Sequence, residues 1–596
     1  MSGIGGIAGH SGNALALATI CESMKESLKR RGKDEHGTYM SEEISMIHTS
    51  NYVTGIRNGP ERAVMGQQAY IIVFDGELYN RAELLRELWT FGYRIPENSD
   101  AAIVLHAYIA WGEICVEKFL GAYAFAIWDS QRLFIARDRL GLRPLYYSHG
   151  AHGLVFASDI KTLLCHPGVT PVVGAEGIAD IMLLGPGRTP GTTPFRNISE
   201  LQPAHFATYT RGVGLKVNEY WRLKAKPHRE AFDETAAIVR KILTNAVARQ
   251  NQDRIGTMLS GGLDSSALAR LANSRATFSV DYVGNDRHFT ESEFQPDDDN
   301  AFIKEMVEHL GARHNRCLLG SDELADALLP AMHARGLPGM ADVDSALLLF
   351  CQNVKRSVPV VLSGEGADEI FGGYPWYQNE ERLFADTFPW SQKLEYRASF
   401  MSPDIKIDHE SYVRARYEKT INGVDTLYDD SPKEKRIRQM YHLNIHWFLQ
   451  TLATRNEAMS AAAGLTVRIP FLDHRLVEYM YNVPWEYKNQ QNREKGLLRE
   501  ALVGLLPENI LWRKKSPFPK THNPAYMNRV TDMIKDVMED KSAPLHGVVP
   551  KDAIEKLLNA QTKEPWYGQL MTVPQTIAYF LQINMWLREF NVKLTM

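Results

Sequence analysis

Short apolar runs broken by glycine, aspartate and asparagine dominate roughly the first 220 residues. AYIIVFDGELYN (69–80), AYAFAIWDSQRLFIARD (122–138) and GLVFAS (153–158) alternate or run apolar, as strands do. NRAELLRELWTFG (80–92) and SDAAIVLHAYIAWG (99–112) instead repeat apolar positions at i, i+3, i+4 and i+7, the spacing of one helix face. This mixture predicts an α+β layered domain over 1–221. RLKAKPHREAFDE (222–234) has few apolar anchors and a proline, and reads as a linker. Beyond it the period changes. DETAAIVRKILTNAVARQ (233–250) is helical, IGTMLS (255–260) is a buried strand, and SGGLDSSALARLA (260–272) passes from a glycine-rich turn into a helix. FSVDYV (278–283) and VPVVLS (358–363) are further short buried strands. Such alternation predicts an α/β domain over 235–596 with a doubly wound parallel sheet, mostly helical and aromatic-rich from about Pro375 onward.

Composition narrows the class. A chain of 596 residues is too long for one hydrophobic core, so at least two domains are expected. Sixty-seven basic and 71 acidic residues leave a net charge of -4, which gives no global attraction to nucleic acid or an anionic membrane. The opening MSGIGGIAGH lacks a basic region and a long apolar run, and no stretch approaches a membrane span, so a soluble, cytoplasmic protein is expected. Cys21, Cys115, Cys165, Cys317 and Cys351 are scattered without CxxC spacing and read as reduced core thiols. The 19 histidines show no ligand spacing, which argues against zinc or iron catalysis.

Candidate chemistry begins at Ser260-Gly261-Gly262-Leu263-Asp264-Ser265-Ser266, where a strand turns into a helix. Paired glycines bring backbone N–H groups close to an anion, and the helix start adds its positive dipole end. The three serine hydroxyls can donate to phosphate oxygens, whereas Asp264 is suited to magnesium. The loop lacks the GK[ST] ending of a Walker motif, which argues against γ-phosphoryl transfer. Gly364-Glu365-Gly366-Ala367-Asp368-Glu369 repeats the arrangement after VPVVLS. Its three carboxylates repel unless a cation sits among them. At the carboxyl ends of adjacent parallel strands, Asp264 and Asp368 could share one magnesium.

SGGLDSS together with SGEGADEIFGGY (363–374) resembles the synthetase domain of asparagine synthetases, which has the ATP pyrophosphatase fold. RIPFLDHRL (468–476) and REKGLLREAL (493–502) resemble later motifs of that family. RRGKDEHG (30–37), FDGELYN (74–80), SDAAIVL (99–105) and ARDRLGLRPLYY (136–147) resemble its class II glutamine amidotransferase domain, an Ntn-hydrolase-like sandwich. The resemblance implies attack of a small-molecule or peptide carboxylate on ATP, loss of pyrophosphate, and capture of the acyl-adenylate by ammonia or an amine. It places Leu259, Ser260, Asp264, Ser265, Val280 and Gly364 against ATP, beside Gly261, Gly262 and Ser266 of the turn read above as an anion cradle, and magnesium on Asp264 and Asp368. It makes Glu365 the proton acceptor and Lys495 the cation facing the developing negative charge. A homodimer is usual in the family.

The sequence also departs from the family. Ser2 stands where the family has its nucleophilic cysteine, Ser50 where an arginine grips glutamine, and Asp75 where an asparagine lines the oxyanion hole. A hydroxyl is the weaker nucleophile and a carboxylate opposes an oxyanion. Arg31, Gly76 and Asp100 are retained. The expectation is a glutaminase-like domain that keeps its fold without its activity. Asp342 replaces an arginine that handles aspartate; with Asp344 it reads either as a substrate contact or as a helix cap of DSALLLF (344–350). In β-lactam-forming relatives a tyrosine takes the place of Glu365, which this chain retains. Three readings therefore stand: an asparagine-synthetase-like amide ligase, a specialised amide or macrolactam synthetase resembling lasso-peptide cyclases, and a non-catalytic ATP-binding regulator.

Overall fold

The computed structural model describes residues 2–10, 14–51, 59–96, 99–251, 255–289, 299–559, 565–568 and 571–595. Its contacts divide the chain into two compact units. One comprises 1–177, 190–222 and 590–595; the other comprises 178–189, 223–589 and 596. The division is thus not strictly sequential, since 178–189 group with the second unit and 590–595 with the first. The helix Phe232–Gln250 also begins inside the stretch read as a linker, because Asp233 and Glu234 supply acidic groups to its first turn.

The first unit is a sandwich of two six-stranded antiparallel sheets. Strand Ser2–Ala8 lies in one sheet between Ile44–Ser50 and Gly153–Ala157. Strand Gln68–Leu78 lies in the other, paired with Gly121–Trp128 and Glu61–Met65. The period of two along Gln68–Leu78 sorts its side chains. Ile71 and Val73 join Ile4, Ile44 and Met46 in the core of one face, while Ile72 and Phe74 turn to the opposite face with Leu84, Leu88 and Val104. The latter three belong to the helices Arg81–Thr90 and Asp100–Trp111, read from their periodicity.

The second unit holds a five-stranded, all-parallel sheet. Its strands are β1 (Ile255–Met258), β2 (Ala276–Tyr282), β3 (Arg313–Leu319), β4 (Val360–Leu362) and β5 (Thr466–Arg468), in the order β3-β2-β1-β4-β5. The helices that matter for the site are α1 (Leu263–Leu271), α2 (Asp299–Leu310), α3 (Asp342–Lys355), α4 (Ala367–Phe371), α5 (Leu449–Ala463) and α6 (Gly496–Ala501). Because β1 and β4 are neighbours in a parallel sheet, the loops leaving their carboxyl ends emerge side by side. Among the described residues, no helix is long and apolar enough to cross a membrane. All five cysteines are free, four of them buried and Cys165 partly exposed.

Phe125 is fully buried between Phe74 and Phe134, with ring centroids 6.4 and 5.9 Å away. Phe125→Ala should therefore cost about 3–5 kcal/mol in the first unit. Urea unfolding followed by circular dichroism checks this; an unchanged midpoint would contradict the packing described.

Candidate active site

The turn after β1 is shaped by Gly261, whose φ is +70°. A Cβ there would lie 2.8 Å from the Ile303 backbone nitrogen and from Phe302 Cβ, so only glycine lets the loop rest on α2. No side chain caps the start of α1 at Gly262. The loop is braced internally: the Ser260 N–H donates to Ser265 Oγ at 3.1 Å, and Ser265 Oγ donates to the Gly262 carbonyl at 3.3 Å.

After β4 the second loop turns through Gly366, φ +88°, into α4. Asp264 and Asp368 then face each other across a single ammonium group. Lys495 Nζ lies 2.5 Å from Asp264 Oδ2 and 2.6 Å from Asp368 Oδ1, and Lys515 Nζ donates to Asp368 Oδ2 at 2.8 Å. Burial opposes a charge on Asp368, yet the two lysines hold its carboxyl well below the usual range. Burial likewise opposes a charge on Lys495, and the two aspartates more than restore it. Lys495 is only 3% exposed and has left-handed backbone, φ +58°. Its stem crosses Gly373, where a Cβ would lie 2.4 Å from Lys495 Cε and 2.0 Å from Asp368 Oδ1. Asp264 Oδ1 is buried without a hydrogen-bond partner, whereas Asp368 Oδ1 is held by the Lys495 ammonium.

Both loops open onto a cavity of about 270 Å³. Leu259, Ser260, Gly262, Ser265, Val280 and Gly364 line it together with the aspartate–lysine cluster. Gly261 and Ser266 do not: Gly261 is turned onto α2, and Ser266 is fully buried. Glu365 enters from the second loop. Arg455 donates to its Oε1, and Asn456 Nδ2 donates to Oε2 at 2.5 Å. Its neighbour Glu369 is raised to about 7 by burial and by the charge of Asp368, and accepts from the Tyr374 hydroxyl at 2.5 Å.

In the first unit, the Ser2 N–H donates to Asp75 Oδ1 at 3.1 Å, and Arg31 Nε donates to the Ser2 carbonyl at 3.1 Å. Asp75 is fully buried. Arg31 Nη2 lies 3.3 Å from its Oδ2 and Arg143 Nε 4.0 Å from its Oδ1. Ser50 lies directly across the sheet from Ser2, its hydroxyl buried without a partner. Gly76 has φ +147°, and a Cβ there would meet the Ala122 carbonyl at 2.1 Å. Asp100 accepts from the Leu78 N–H at 3.1 Å and pairs with Arg81 at 3.1 Å.

Comparison with known proteins bears on both sites. Residues 238–588 match the family model described as asparagine synthase, and residues 1–221 match one described as a glutamine amidotransferase domain. The chain belongs to the asparagine synthetase family. It is 41% identical over 591 residues to asparagine synthetase [glutamine-hydrolyzing] 3 of Bacillus subtilis (strain 168), covering 96% of each chain. It is 24% identical over 530 residues to asparagine synthetase B [glutamine-hydrolyzing] of Escherichia coli (strain K12), covering 85% of this chain and 80% of the relative. The family consists of ATP-dependent amide ligases, and the antiparallel sandwich and parallel sheet are the two folds its motifs imply.

Several residues of this family member were not legible beforehand. Arg455, Asn456, Arg513 and Lys515 line the cavity but lie far in sequence from both glycine loops. The expectations for Asp342 and Asp344 need correcting. Neither lines this cavity. Neither caps a helix, because α3 starts at Asp342 itself, after Ala341 with φ +52°, and has no side-chain cap. Both are buried instead. Asp344 pairs with Arg335 at 3.2 Å, and Asp342 Oδ2 accepts from Gln575 at 3.2 Å.

Burial pushes Asp342 up to about 6 despite that hydrogen bond. The folded state therefore holds a proton that the unfolded chain has lost, and stability falls as pH rises from about 4 through about 6. Asp342→Asn keeps the acceptor and removes the charge. It should be more stable than the parent at pH 8, by on the order of 3 kcal/mol, with the gap closing near pH 4. Urea midpoints across that range test this; a difference independent of pH would contradict it.

Proposed function

We propose that this chain makes an amide from aspartate and ammonia through an acyl-adenylate, with Glu365 and Lys495 as its catalytic side chains and with a silent glutaminase-like domain. The observation that carries the ligase reading is the Lys495 ammonium between Asp264 and Asp368, at the mouths of neighbouring parallel strands and beside the phosphate loop. The names of the relatives support aspartate as the acceptor.

ATP fits the cavity through the Ser260–Ser265 turn and the uncapped start of α1, a ready site for phosphate oxygens. Magnesium suits the donor set, since Asp264 and Asp368 are hard oxygen donors facing one point and Asp264 keeps a buried carboxylate oxygen without a hydrogen bond. When bound, it would neutralise phosphate charge and favour loss of pyrophosphate. The ammonium of Lys495 is then available to the charge that develops on the α-phosphate and acyl oxygen. Glu365 is fixed by Arg455 and Asn456 at the cavity wall, where it can take the proton that ammonia sheds on attack. Free thiols throughout agree with a cytoplasmic setting.

The silent glutaminase rests on Ser2, Ser50 and Asp75. Asp75 accepts from the Ser2 N–H and faces Arg31 and Arg143, so a carboxylate and its partners fill the place where an oxyanion would need donors. Purified protein with glutamine should release no glutamate above a heat-killed control, while ammonium with ATP, magnesium and aspartate yields asparagine and pyrophosphate. Glutamate released at a rate matching amide formation would overturn the silent domain. ATP turnover indifferent to aspartate would overturn the acceptor. Glu365→Gln should keep aspartate-dependent ATP–pyrophosphate exchange within a few-fold and lower amide formation by about 100-fold or more. Loss of both activities together would remove Glu365 from the role of base.

A further inference from the structure

One histidine pair corrects the expectation that none has ligand spacing. His442 and His446 stand four residues apart, the interval that puts two side chains on one side of a helix. His442 lies near the end of the helix Pro432–Leu443. His446 lies in the π-turn Asn444–Phe448, which runs without a break into α5. A turn closed by i→i+5 hydrogen bonds carries an extra residue, and such insertions recur at functional sites. Here the wider turn accompanies two imidazole rings that lie over one another, with centroids 3.9 Å apart and planes tilted by 33°.

Both histidines are partly exposed, so an ion from solvent can reach them. Burial and the neighbouring ring hold His442 well below the usual imidazole range, so near neutral pH it keeps the lone pair that a metal needs. Histidine nitrogens bind zinc at about 2.0–2.1 Å, which in a tetrahedral site sets two of them about 3.3 Å apart. Rings centred 3.9 Å apart reach that spacing by small side-chain rotations. Among the described residues no third histidine, cysteine or carboxylate joins the pair, so water completes the coordination.

We infer that His442 and His446 form a two-imidazole site for a borderline transition-metal dication such as zinc, nickel or copper. Imidazole suits these ions, whereas magnesium takes oxygen ligands. The site is separate from Asp264 and Asp368, because neither histidine lines their cavity. Metal held there ties the end of the helix Pro432–Leu443 to the turn from which α5 departs, and α5 carries Arg455 and Asn456, which fix Glu365.

Zinc titration of the full chain against a chelating indicator, in excess magnesium, tests the site. The parent should take up one zinc that His442→Asn and His446→Asn each bind about 10- to 100-fold more weakly, since losing a ligand costs at least what losing its outer-shell partner does. Zinc should raise the thermal midpoint of the parent and leave that of both variants unmoved. Electron paramagnetic resonance of the parent with substoichiometric copper should show two imidazole nitrogens on the ion. That spectrum needs no variant, so it decides the matter if either substitution unfolds the protein by circular dichroism. Unchanged zinc stoichiometry and affinity in either folded variant, or copper bearing fewer than two nitrogens, overturns the site.

Discussion

Two aspartates at the ends of neighbouring strands cannot both stay ionised in a buried site unless a cation stands between them. Lys495 meets that constraint, and much of the second unit is arranged around it. Gly373 is glycine because the lysine stem and Asp368 occupy the space of a Cβ. Lys495 accepts left-handed backbone in order to point inward from the start of α6. Gly261 lets the loop after β1 lie flat on α2, so that Asp264 comes forward on the first turn of α1. The parallel register of β1 and β4 supplies the adjacency from which all of this follows.

The first unit obeys the same electrostatic rule toward a different end. Asp75 is fully buried and is answered by Arg31, Arg143 and the Ser2 N–H. Those partners satisfy the carboxylate and keep the strand pairing of Ser2–Ala8 intact. The strand end beside Ser2 thus holds a buried anion together with the donors that answer it. The core of the sandwich lies in the alternating residues of its sheets, and Asp75 and its partners are not part of it.

Local patterns made much of this legible. The period of two in Gln68–Leu78 and the apolar spacing in Asp100–Trp111 gave strand and helix directly, and the two glycine-bearing motifs marked the turns that follow β1 and β4. Lys495 was reachable only through its motif, since nothing in an isolated lysine indicates burial. Arg455, Arg513 and Lys515 were out of reach. Their place at the cavity is fixed by tertiary packing hundreds of residues from β1, and arginine or lysine in a polar stretch looks like solvated surface. Asp342 and Asp344 misled because aspartate near a helix start usually caps it; here the helix already begins at Asp342, two residues before DSALLLF, after the positive-φ Ala341, and both carboxylates are buried.

The central claim is that the acceptor carboxylate is joined to the α-phosphate of ATP. The most direct measurement is oxygen transfer: aspartate carrying ¹⁸O in its side-chain carboxylate, incubated with ATP, magnesium and ammonium, with nucleotide and phosphate products resolved by mass spectrometry. The account predicts one ¹⁸O in AMP for each amide formed and none in pyrophosphate. Formation of ADP with the label in inorganic phosphate would mean that the γ-phosphate is the one attacked, and would contradict it.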